Sequence, residues 1–248
     1  MLLIPGAMGT RWNWAMNIEA FRKVGTPVVV ELWGHGRSPI PDNDSDFLVA
    51  GYVEQFELLR SELGVAQWPV LGQSIGGSLA LHYGLACPEV VGAIVFTNDV
   101  CGLGSEHERA GTEARRAHWG PILAGPEGRR FLIDHVYNPK QPGPFDVFAP
   151  ELRAGIVEAY ESGDPVAVAK TWEVTIGDLP MRERFCELAM PMLWVHGSRE
   201  QRTRDLAIWA AAVSPTLEIV AVASGHAVNI EACSTYNAFA TAFLRRHR

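Results

Sequence analysis

Three side-chain types suffice for acyl transfer: a hydroxyl nucleophile, an imidazole to take its proton, and a carboxylate to orient that imidazole. Gly72-Gln73-Ser74-Ile75-Gly76-Gly77 is the strongest local signal in the sequence. It is a G-x-S-x-G run, preceded by an apolar strand pattern and followed by a helical one. A serine on so tight a strand-to-helix turn needs glycines beside it, so that neighbouring backbone can approach without Cβ clashes. The helix that follows then directs its N-terminal N–H groups at the reacting centre. The same letters also occur in plain glycine-rich turns whose serine only caps a helix, so the flanking pattern carries the reading.

Of eight histidines, His226 is the expected base. It follows the last predicted strand in Ser224-Gly225-His226 and precedes the C-terminal helix. His196, at the end of a strand, is its rival. His82 falls within the elbow helix, where packing is expected, and His35, His107, His118, His135 and His247 read as loop, insertion or tail residues. Two carboxylates compete for the acid. Glu200 comes three residues after Gly197, in the loop beside the one carrying His226, and Asp99 ends the preceding strand in Thr97-Asn98-Asp99. Glu200 is preferred on position, although Arg199, Arg202 and Arg204 around it look like a solvated charge run. The glycine-rich turn Gly6-Ala7-Met8-Gly9 follows the first strand. The N–H groups of Ala7 and Ile75 are the natural donors to a developing oxyanion.

These residues need a frame that brings loops 70 to 150 residues apart to one edge. Short β-branched runs at 2–4, 27–32, 69–71, 91–96, 191–195 and 217–222 alternate with helical patterns at 14–23, 47–63, 74–87, 202–213 and 228–244. That alternation predicts an α/β fold, doubly wound around a mostly parallel sheet. From 101 to 189 no strand appears. Helical patches at 105–117, 128–136, 150–160 and 166–174 are punctuated by Gly120-Pro121, Gly125-Pro126 and a proline cluster from Pro139 to Pro144. So long a stretch is too large for a loop. The expected organisation is therefore a core of residues 1–100 and 190–248, with 101–189 inserted as a helical cap over one end of the sheet.

The 248 residues carry 21 Lys and Arg against 28 Asp and Glu, a net charge of −7. The acidic balance argues against nucleic acid or an anionic membrane as partner. No apolar run approaches a membrane span, and the first residues lack the basic region of a signal peptide. Cys87, Cys101, Cys186 and Cys233 are scattered, without zinc spacing. They read as free thiols in a reducing, cytoplasmic setting, with no metal or other cofactor expected.

Taken together, the segments resemble the α/β-hydrolase superfamily, serine esterase and lactonase type, over most of the chain outside the insertion. Gly6-Ala7 with Trp14 resembles the oxyanion-loop segment, and Glu31 to Ser38 resembles the D-x-x-G-x-G-x-S loop. Gly72 to Gly77 matches the nucleophile elbow, and Gly225-His226 with Asn229, Glu231 and Phe243-Leu244 resembles the histidine loop and last helix. Pro5 stands for the usual histidine, and Glu31 and Glu200 for the more frequent aspartates. The family's N-terminal hairpin has no counterpart, which would leave Pro27 to Leu32 as a bare edge, to be covered by a homodimer or a neighbouring loop.

The resemblance implies acyl transfer through Ser74, His226 and Glu200, with Ala7 and Ile75 as oxyanion donors and a small or medium apolar ester or lactone as substrate. Serine at the elbow disfavours dehalogenase and epoxide hydrolase chemistry, where the family carries aspartate. Thioesterase, C–C bond hydrolase and lyase readings share the triad, and a non-catalytic receptor shares the fold. Trp12, Trp119, Trp172 and Trp194 are candidates to line the pocket, Trp194 being the one best explained as core.

Overall fold

A computed structural model describes residues 1–136 and 149–247. The Pro139 to Pro144 cluster and the His135 side chain lie outside the described residues. Six parallel strands form one sheet in the order β2-β1-β3-β4-β5-β6. They are β1 (Leu2–Ile4), β2 (Val28–Val29), β3 (Trp68–Gly72), β4 (Val91–Phe96), β5 (Met192–Gly197) and β6 (Leu217–Val222). The strands are almost continuously apolar because helices cover both faces. Alternate residues feed opposite layers. Leu2, Ile4, Val70, Ile94, Phe96 and Trp194 pack beneath α2 (Val49–Glu62), α3 (Ile75–Ala86) and α9 (Arg204–Val213). Leu3, Leu71, Val95 and Leu193 pack against α1 (Ile18–Arg22) and α11 (Cys233–Arg246) through Phe21, Tyr236 and Phe243.

Between β4 and β5 the chain is helical: α4 (Glu106–Ala124), α5 (Gly128–Val136), α6 (Pro150–Ser162), α7 (Pro165–Lys170), a π turn at Thr171–Thr175 and α8 (Ile176–Asp178). Ser105 and Glu108 start α4 with reciprocal capping bonds. The helix then runs through Pro121 instead of ending near 117, its last turn held by the fully buried Leu123. Trp12, in a 3₁₀ turn after β1, packs on Gly155 of α6, and the Tyr160 hydroxyl of α6 donates to the Met8 carbonyl.

Three elements are shorter than their patterns predict, among them the helix expected over 14–23, of which only α1 forms after the 3₁₀ turn at Arg11–Trp14. β2 spans two residues where the apolar run covers 27–32, because the Glu31 side chain turns to Arg11 and Gly34 and Gly36 then turn the chain. The C-terminal pattern divides at Ala232 into α10 (Val228–Glu231) and α11.

The elbow joins β3 to α3 at Ser74, whose φ is 54° and ψ −126°. For a residue with a side chain this is sparsely populated backbone. Bonds from Gln73 N–H to the Ile4 carbonyl (3.0 Å) and from Ser74 N–H to Thr97 Oγ1 (3.1 Å) hold it. A Cβ on Gly76 would lie 2.4 Å from the Ile4 oxygen and 2.5 Å from that of Pro5. Gly76→Ala should therefore force α3 off β1 and cost about 2 kcal/mol or more in urea unfolding. Gly111→Ala, with nothing within 4 Å of the added carbon, should stabilise by about 0.5–1 kcal/mol as an exposed helical glycine.

Candidate active site

Loops after β1, β3, β5 and β6 meet at the carboxyl edge of the sheet, the usual ligand side of an open parallel sheet. His226 Nε2 lies 2.9 Å from Ser74 Oγ, and His226 Nδ1 lies 2.8 Å from Glu200 Oε2. An ionised carboxylate only accepts, so Nδ1–H donates to Glu200 and leaves Nε2 as acceptor for the serine O–H. The histidine loop is held on both sides of His226. Glu231 accepts from Gly225 N–H (2.6 Å) and Ala227 N–H (3.0 Å).

Parallel pairing of Gly197 with Val222 sets the acid loop beside the histidine loop. Ser198 N–H then donates to the Val222 carbonyl (2.9 Å) and Arg199 N–H to that of Ser224 (3.0 Å). The Glu200 side chain is only 9% exposed. Burial works against its ionisation, but the hydrogen bond and charge of His226, with the Arg202 guanidinium and Asn98, hold its pKa down at about 2.

Asn98 is a neighbour of the candidate site that the sequence does not single out. Fully buried, it accepts from Gly197 N–H (3.0 Å) and Trp194 Nε1–H (3.2 Å) and donates to the Gly197 carbonyl (2.8 Å). It latches the end of β4 onto the end of β5, just ahead of the acid loop. Its only sequence signal is an asparagine one residue before the rival acid.

Asp99 is buried and committed elsewhere: it accepts from the Ser78 hydroxyl, Cys101 N–H (2.9 Å) and Gly102 N–H (3.3 Å). The structure does not bring it to His226. His196 donates to or accepts from Thr203 Oγ1 at 2.9 Å and stacks edge-on against Trp194, while His82 meets the Leu179 carbonyl at 2.9 Å. Burial lowers the pKa of both. Neither joins Ser74.

Ile75 is the first residue of α3, where backbone N–H groups lack helical acceptors. Among the described residues neither its N–H nor that of Ala7 has an acceptor within the chain. Gly6 lets the Ala7 loop lie against the elbow: an added Cβ there would sit 3.2 Å from Ser74 Cβ. Trp194 is fully buried core, whereas Trp119 and Trp172 contact each other edge to face at 4.7 Å within the inserted helices.

A family model described as alpha/beta hydrolase fold matches residues 1–232. The chain belongs to that family. A proline iminopeptidase of Lactiplantibacillus plantarum is 35% identical over 86 residues, 34% of this chain and 30% of the relative. The chain therefore matches under a third of that hydrolase's length. A putative 2-succinyl-6-hydroxy-2,4-cyclohexadiene-1-carboxylate synthase of Bacillus subtilis is 22% identical, with 98% of this α/β-hydrolase chain and 89% of the relative covered. Among solved structures, one from a study of carboxylesterases of Nitrososphaera gargenis superimposes with a TM-score of 0.79 at 20% identity, covering 99% and 89% of the two chains. Among the described residues no helix is long and apolar enough to cross a membrane.

Glu200 links the site to pH. Its folded pKa of about 2 lies below the ordinary 4.5, so the ionised carboxylate stabilises the fold above pH 4.5, and that contribution is lost as pH falls towards about 2. Denaturant unfolding followed downward from about pH 5 should show the wild type losing stability more steeply than Glu200→Gln. Parallel curves would mean that the carboxylate gains nothing from folding.

Proposed function

We propose that this α/β-hydrolase cleaves carboxylic esters through an acyl-enzyme on Ser74. The observation that carries the reading is the continuous chain Ser74–His226–Glu200 beside two unclaimed N–H groups. His226 Nε2 takes the hydroxyl proton as Ser74 Oγ bonds to the ester carbon. The carbonyl electrons move to oxygen, which the Ala7 and Ile75 N–H groups receive. Collapse expels the alcohol, which carries away the proton from His226. Water then repeats the sequence on the acyl-serine, releasing the acid and restoring the hydroxyl. Glu200 stays ionised and supports the imidazolium throughout. The inserted helices serve as a cap, and their aromatic residues supply the apolar wall suited to a small or medium ester or lactone.

A second reading has a specific support, the near full-length similarity to the Bacillus subtilis synthase. There the same triad would serve a lyase reaction, an elimination without hydrolysis and with no acyl-enzyme. Intact-protein mass spectrometry after exposure to p-nitrophenyl esters and lactones separates the two. An adduct of acyl mass on Ser74 supports hydrolysis. Its absence despite turnover of a non-ester substrate supports elimination.

Ser74→Ala should lose about 10⁴-fold in ester turnover while keeping its fold. In parallel, Glu200→Gln should reduce kcat by orders of magnitude with KM little changed, and Asp99→Asn by about tenfold at most. A folded Ser74→Ala enzyme with more than a few per cent of wild-type activity would exclude the serine mechanism.

A further inference from the structure

The oxyanion loop and the elbow leave β1 and β3 separately, and no strand pairing reaches beyond Ile4 and Gly72 to set their spacing. A buried amide pair spans that gap. Asn13, 5% exposed, accepts from Thr10 N–H through Oδ1 (2.9 Å) and donates through Nδ2 to Gln73 Oε1 (2.9 Å). Thr10 closes the loop that carries Ala7, and Gln73 immediately precedes Ser74. The backbone carbonyl of Asn13 is also used: Asn229, three residues after His226 and fully buried, donates to it through Nδ2 (2.8 Å). One residue thus touches the loop bearing each functional group except the acid.

We infer that Asn13, with Gln73, is a positioning residue that sets the separation of the Ala7 and Ile75 N–H groups and the approach of the histidine loop to Ser74. The inference rests on the acyl-transfer reading above. Neither amide meets Ser74, His226 or Glu200 directly, and both are too buried to be accounted for by solvation. A buried amide left without its partner would be a poor choice for packing alone, since an apolar pair of the same shape fills space as well. Both ends of the Asn13 amide are engaged, which fixes its orientation. A displacement of about 1 Å at a reacting centre is enough to cost about 100-fold in rate.

The test compares Asn13→Leu, Asn13→Asp, Gln73→Glu and the Asn13→Asp/Gln73→Glu double variant. Each is assayed with p-nitrophenyl butyrate, and kcat is expressed per active site titrated with a fluorophosphonate. Asn13→Leu should lose about 10- to 100-fold in kcat per titrated site with KM within about threefold, and its thermal midpoint should fall by several degrees because Thr10 N–H and Gln73 Oε1 lose their buried partner. Asn13→Asp should recover most of that loss. The carboxylate still accepts from Thr10, and the Gln73 amide turns to donate to it. Gln73→Glu keeps an acceptor for Asn13 Nδ2 and should also retain most turnover.

The double variant faces two acceptors without a donor. Its kcat should fall at neutral pH and recover relative to either single variant as acidification supplies a shared proton. Equal losses in the Leu and Asp variants, a loss confined to KM, or a double variant no worse than its singles would overturn the positioning role. If Asn13→Leu does not fold, the double variant against its singles decides alone. A folded Ser74→Ala enzyme that remains active would instead remove the underlying reading, a result distinct from any of these.

Discussion

The backbone of Ser74, at φ 54° and ψ −126°, is the constraint around which the site is built. A strand can hand over to a helix this abruptly only if the first helical turn lies directly on the neighbouring strand. Gly76 makes that contact with the carbonyls of Ile4 and Pro5. The same closeness brings the β1 loop alongside the serine and puts the first free N–H of α3 next to the hydroxyl. Thr97, at the end of β4, takes up the Ser74 N–H. Strain at one residue is thus balanced by bonds from two strands, which is how a costly conformation persists in a native state.

Around this fixed point the remaining groups are positioned by carboxylates and amides as well as by apolar packing. Glu231 holds the histidine loop, Asn98 holds the end of β5, and Glu31 binds Arg11 and the Arg37 N–H, linking the segment after β1 to the turn after β2. Each accepts from backbone N–H or guanidinium groups and so ties one loop to its neighbour. A carboxylate that must stay ionised beside an imidazole benefits from such surroundings. Around Glu200 the favourable hydrogen bonds and charges outweigh its burial.

Much of this was legible in the sequence because the signals are local. The runs at 91–96 and 217–222 coincide with β4 and β6, and strand, Gly72 to Gly77 and helix are contiguous. Glu200 and His226 were legible as residues at strand ends, although Asp99 shared that property. What separates the two acids is the partner each meets across the fold: Asp99 turns back to Ser78 on α3, and Glu200 meets a histidine 26 residues away. The Asn13–Gln73 pair, the Asn98 latch and the Tyr160–Met8 bond leave no periodic trace, since each joins positions 60 to 152 residues apart. The shortened β2 and the continuation of α4 through Pro121 were hidden for a related reason. In both, tertiary contacts override a local sequence pattern, an apolar run in one and a proline in the other.

Parallel pairing also orders the site in time. A chain growing from its N-terminus completes the elbow once β1, β3 and β4 are present, all within the first 100 residues. Glu200 follows only after the inserted helices, and His226 only after β6. Asn229 reaches back to Asn13 and Asn17 across separations of 216 and 212 residues. Contacts this distant are slow to form. Until they close, the partly folded chain holds Ser74 without His226 beside it, and the acyl transfer proposed for the elbow would begin only when the C-terminal helices dock across the sheet.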